Sequence, residues 1–101
     1  MTVDVDDTLK RISAKKGVKA VVIINNEGQT IRSTLDRELS KQYGHLIAGL
    51  VQQTRTMVAT LDDQNELTFL RIRTKKHEVM VAPDQDYLLV VIQNPAEVMQ
   101  Q

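Results

Sequence analysis

Two short apolar runs constrain the fold of this chain more than anything else in it. Val18–Asn25 reads VKAVVIIN and Tyr87–Gln93 reads YLLVVIQ. Both are rich in β-branched residues and lack the alternation of a half-solvated strand. A strand that is apolar on both faces must be covered on both. The two runs therefore predict the central strands of one sheet with helices packed on either side. With 101 residues the chain fits one domain, residues 1–101, with a core over 5–95 and a tail at 96–101.

The rest of the pattern fills in around those strands. Over Asp4–Lys16, Val5, Leu9 and Ile12 recur at helical spacing, with Asp6 and Asp7 at the positive end of the helix dipole and Gly17 as a left-handed cap. Asn25-Asn26-Glu27-Gly28 marks a turn, and Gln29–Thr34 returns as a more polar strand near a sheet edge. Asp36–Leu61 is the longest element. Leu39, Tyr43, Leu46, Ile47, Leu50, Val51, Thr54, Val58 and Leu61 follow the i, i+3, i+4, i+7 rhythm of a helix whose apolar face is wider than one sheet contact needs. Gly44 and Gly49 interrupt it; either a neighbouring backbone comes close or the helix tolerates weak spots. Leu67–Arg73 predicts a strand with Leu67, Phe69, Arg71 and Arg73 on one face and Thr68, Leu70, Ile72 and Thr74 on the other. Turns at Lys75–His77 and Pro83–Asp86 then join it to Glu78–Ala82 and to the second apolar run. The expected fold is an α+β sandwich of order α-β-β-α-β-β-β, with a final helical turn or a loose tail over Ala96–Gln101. Its five-stranded, mostly antiparallel sheet has the long helix on one face and shorter helices on the other. The last three strands form a meander, with Leu67–Arg73 at an edge.

Little here suggests catalysis or a cofactor. There is no cysteine, so no disulfide or thiolate metal site can form. The two histidines, His45 and His77, have no nucleophile or base at a telling spacing. Asp4, Asp6 and Asp7 lack the glycine and distal glutamate of a calcium loop, and no glycine-rich phosphate loop is present. Thirteen basic residues balance thirteen acidic ones, which argues against nucleic acid as a partner. The basic segment Arg71–His77 reads either as a site for an acidic partner or as charge guarding an exposed strand edge. The acidic N-terminus does not read as a signal peptide, and no apolar run is long enough to span a bilayer. The expected compartment is the cytosol.

What remains is association. A long helix with an over-wide apolar face, beside an edge strand carrying Phe69, Leu70 and Ile72, suggests a surface on which two copies pair around a two-fold axis. The alternative is that these side chains cover only their own sheet.

Several stretches go further. Leu9-Lys10-Arg11 with Lys16-Gly17-Val18, Asn26-Glu27-Gly28, Ser33-Thr34-Leu35-Asp36, Thr68–Arg73 running into Lys75-Lys76, and Met80–Asp84 leading through Asp86-Tyr87 to Val91–Pro95 together resemble a roadblock-type dynein light chain. The resemblance spans about Val5 to Pro95. It implies a roadblock/longin/profilin-like fold and a dimer through the long helix and the edge strand. The contact is expected at Leu50, Val51, Thr54, Arg55 and Val58 on the helix, with Phe69, Leu70 and Arg71 on the strand. It also implies a non-catalytic adaptor without cofactor or metal, bound to the intermediate chain of cytoplasmic or axonemal dynein and so associated with microtubules. The wider superfamily includes scaffolds that bind small GTPases, which gives the second functional expectation. Gly44, His45, Ala48, Gly49, Gln52 and Gln53 are smaller or more polar than this family pattern leads one to expect, so a heterodimer with another family member stands beside the homodimer. A ligand-holding cleft is a third expectation.

Overall fold

The computed structural model describes residues 5–96. The elements run α1 (Val5–Ser13), β1 (Val18–Ile24), β2 (Thr30–Ser33), α2 (Arg37–Leu61), β3 (Leu70–Arg73), β4 (Glu78–Pro83) and β5 (Leu88–Gln93). The strands form one antiparallel sheet in the order β2-β1-β5-β4-β3. The two apolar runs, β1 and β5, thus lie side by side inside the sheet, and the meander ends with β3 at one edge.

Alternation sorts each inner strand onto two covered faces. Ala20, Val22 and Ile24 of β1 join Val79 and Val81 of β4 and Leu88, Val90 and Ile92 of β5 in a core with Ile47 and Val51 of α2. Val21 and Ile23 point the other way and are equally buried, on the face where α1 packs over β1 and β2. The expectation that helices cover both faces holds over β1 and β2. On the α1 side, Leu89 and Val91 of β5 and Met80 and Ala82 of β4 are half-buried.

Local chemistry fixes the ends of the elements. Asp36 caps α2 by accepting the Leu39 N–H at 2.8 Å. One turn on, Ser40 Oγ donates to Ser33 Oγ at 2.7 Å, tying the helix start to β2. In the β1–β2 turn, Asn25 Oδ1 accepts from the N–H groups of Glu27 and Gln29. Gly17 and Gly28 have φ of 86° and 88°, the left-handed region that glycine enters without cost. Gly28 also lies against α2: a Cβ there would come 2.9 Å from the Gly44 carbonyl oxygen, and one on Gly44 would strike the Gly28 carbonyl. Gly44 is therefore the helix glycine that a close backbone approach requires. A Cβ on Gly49 would meet nothing within 4 Å.

Two expectations need correction. β3 begins at Leu70 rather than Leu67, and Leu67 packs against the α2-side core instead of sharing a face with Phe69. The chain leaves the ladder before Leu70, so strand alternation no longer governs Leu67. The N-terminal start of the first helix at Asp4 and most of the helical turn or tail expected over Ala96–Gln101 lie outside the described residues.

Candidate association surface

The long helix carries two neighbouring stripes. Ser40, Gly44, Ile47 and Val51 are buried against the sheet. One residue back on the helical net, Leu39, Leu46 and Met57 form a second stripe that continues to Leu61. This ridge is solvent-exposed: Leu46 keeps 62% of its surface, Met57 55% and Leu61 80%. Leu50 lies on the same stripe and is half-buried. A ridge of large apolar side chains along a helix is the signature of a covered surface.

The second component is the edge of the sheet. β3 ends the sheet, so in the single chain no strand among the described residues lies along its outer side. Arg71 and Arg73 do not lie across that outer side; both reach inward over β4 to Glu78 Oε2, at 3.1 Å and 3.5 Å. Gln93 Nε2 donates to the other carboxylate oxygen at 2.7 Å. Glu78 is buried, and these three partners satisfy the charge that burial would otherwise penalise. Phe69, just before the strand, stays 49% exposed. The opposite edge differs. On β2 the Ile31 carbonyl accepts from Arg32 Nη1 at 2.7 Å, and Arg32 Nε is held by Asp6 Oδ1 of α1 at 3.0 Å. At the β2 edge one backbone carbonyl is thus taken by the neighbouring arginine, at a bulge in the pairing with β1, and charge and bulges at an edge discourage strand addition.

The expected contact residues fall into three groups. Phe69 and Arg71 are exposed beside the β3 edge, and Leu70 is half-buried under α2. Leu50, Thr54, Arg55 and Val58 are half-buried, with Arg55 Nη1 donating to Asn26 Oδ1 at 3.2 Å. Val51 is 1% exposed and belongs to the core of its own chain. It cannot reach a partner without opening that core. The ridge of Leu39, Leu46, Met57 and Leu61 was not among the expected contact residues. Two stripes one residue apart merge into a single broad apolar face in the sequence.

A cleft of about 690 Å³ lies between the end of α2, the connection to β3 and the β4–β5 turn, lined by Arg55, Glu66, Leu67, Thr68, Asp84 and Gln85 among others. It is open, and its lining includes both acidic and basic side chains. In the adjoining β4–β5 turn, burial raises the Tyr87 phenol above its ordinary 10.0, and the Asp84 carboxylate beside it adds to the shift. Among the described residues no group of three histidines or acids is placed to hold a metal. No helix among them is long and apolar enough to cross a membrane. His45 is exposed on α2; in the β3–β4 turn the His77 carbonyl accepts from the Thr74 N–H, and the His77 N–H donates to Thr74 Oγ1.

The chain is thus an α+β sandwich with a five-stranded antiparallel sheet and an exposed apolar ridge on its long helix. The chain matches the Roadblock/LC7 domain model over residues 4–94 and belongs to that family. Its fold is that of solved family members. A Roadblock/LC7 domain from Streptomyces avermitilis superposes with a TM-score of 0.82 at 15% identity, covering 91% of this chain and 79% of that one. The gliding protein MglB from Thermus thermophilus gives 0.79 at 13% identity, covering 94% and 74%. MglB from Myxococcus xanthus gives 0.72 at 22% identity, covering 89% and 72%. None of these three is named for dynein.

Proposed function

We propose that this chain is a non-catalytic scaffold that dimerises through β3 and the α2 ridge, and that the dimer binds and regulates a small GTPase. The observation that carries the dimer is the β3 edge with exposed Phe69 beside it, together with the exposed α2 ridge; at the other edge Arg32 takes the Ile31 carbonyl. The ridge then supplies apolar area that strand pairing alone lacks. A stable contact needs about 800 Å² from each partner.

The GTPase partner rests on the family and on its likeness to bacterial relatives, one of them a gliding protein and another MglB structure described with a tetrameric arrangement. The dynein light-chain reading is kept alive by the Phe69–Asp84 segment, which carries the more specific part of the resemblance. Affinity purification from native cells separates the two. Small GTPases recovered without dynein chains support the scaffold; dynein intermediate chain in their place overturns it. For the dimer, sedimentation at micromolar concentration should give twice the 11.4 kDa chain mass. Phe69→Asp should shift the equilibrium toward monomer, and a wild-type monomer would refute the dimer.

A further inference from the structure

Strand register makes a definite statement about the back of such a dimer. Residues directly opposite in an antiparallel pair project from the same face of the sheet. For both α2 ridges to meet on one side, two β3 strands must pair so that even-numbered residues face even-numbered ones and odd face odd. Leu70 and Ile72 then meet their mates under the helices. Arg71 and Arg73 meet theirs on the opposite face. Pairs of like charge directly across a ladder are unfavourable, and Glu78 offsets only one of the two guanidinium charges in each copy.

The surroundings of these arginines are built rather than loose. Along one row of the sheet Arg71 sits beside Met80 and then Val91; along the next, Arg73 sits beside Glu78 and then Gln93. Both guanidinium groups are anchored through Nε to Glu78 Oε2, while 58% and 56% of the two side chains remain exposed. Arg71 Nη2 lies 3.7 Å from the Met80 sulfur. Beyond the arginines, Met80, Ala82, Leu89 and Val91 form a half-buried apolar strip on the same face. The two-fold axis would therefore place four oriented guanidiniums at the centre, flanked by an apolar strip on each side.

We infer that this back face is a docking site for an acidic polypeptide segment crossing the two-fold axis, with carboxylates at its centre and apolar residues to either side. The inference rests on the dimer proposed above and names the chemistry of the partner segment. Guanidinium–carboxylate pairs with fixed geometry supply the specificity, and the strip supplies apolar area. Across β4–β3–β3–β4 the two Met80 positions stand about 14 Å apart, at about 4.8 Å per strand. A partner segment of a few extended residues or a short helix spans that distance.

The test uses the full chain and a short fluorescein-labelled peptide of alternating glutamate and leucine, with its lysine–leucine counterpart as control. The glutamate peptide should bind, with binding weakening as salt rises. Arg71→Gln with Arg73→Gln would leave Glu78 buried without its partners, so Glu78→Gln is combined with them to keep the network neutral. That triple variant should bind about tenfold more weakly while sedimenting like the wild type. Arg71→Lys with Arg73→Lys should recover part of the loss, and Lys75→Gln with Lys76→Gln should leave binding unchanged. Unaltered affinity in the triple variant, equal binding of the lysine peptide, loss of binding on removal of Lys75 and Lys76, or displacement by oligo-uridylate would each overturn the site. A monomeric wild type would refute the dimer itself, in a measurement independent of the peptide.

Discussion

Gly44 and Gly49 sit five residues apart on the same helix and should respond to alanine in opposite ways. At Gly44 a Cβ runs into the Gly28 carbonyl, and backbone cannot move aside as a flexible side chain can. The clash should outweigh the roughly 1 kcal/mol gain in helix propensity, for a net loss of about 2 kcal/mol in urea unfolding. Gly49→Ala faces open space and should gain up to about 1 kcal/mol. Equal responses would refute the close approach. Tyr87 gives a pH test. Its phenol titrates higher in the folded chain, first through burial and then through Asp84. The neutral form is thus favoured on folding. The stabilisation is complete below 10.0, the unfolded value, and is lost as pH rises through the folded one. Tyr87→Phe should flatten the alkaline fall in unfolding midpoint relative to wild type; an unchanged profile would count against the shift. At this scale the sequence was only partly legible. Both helix glycines looked alike because nothing local distinguishes a glycine beside another backbone from one facing water.

Along α2 the division of labour between stripes can be measured directly. Val51 fills the core, so Val51→Ala should cost about 2 kcal/mol of stability and leave the dimer constant of the folded chain nearly unchanged. Leu46 is exposed in the single chain; Leu46→Asp should leave the monomer as stable and abolish sedimentation as a dimer. Reversed outcomes would mean that the stripes are misassigned. The helix, its bounds and its apolar width could be read from spacing, and so could the inner strands, because VKAVVII and LLVVIQ leave no face for water. Which stripe meets the sheet could not be read, since Leu46, Ile47, Leu50 and Val51 satisfy the same rhythm. β3 was overextended for a related reason: Leu67 continues the alternation of Phe69 and Arg71, but the backbone departs from β4 before reaching it. The Arg71–Glu78–Arg73 network was invisible because its members are close only across the β3–β4 ladder.

Across the whole molecule, charge and edges explain how a chain of zero net charge can be selective in what it joins. At the β2 edge Arg32, itself held by Asp6, takes the Ile31 carbonyl, which favours β3 as the edge for sheet extension. The exposed ridge of α2 lies ready to be covered once two such edges meet. The absence of cysteine allows a direct test of this geometry by placing one cysteine at a time at Leu70, Arg71 or Ile72, with Thr30 on β2 as control. A residue on the two-fold axis faces its own copy, with Cα atoms about 4.5–5.5 Å apart, within reach of a disulfide. Mild oxidation of the folded protein should give a covalent dimer at one of the three β3 positions and none at Thr30. Cross-linking at Thr30, or at none of the β3 positions, would contradict a dimer joined edge to edge with its helices on one side.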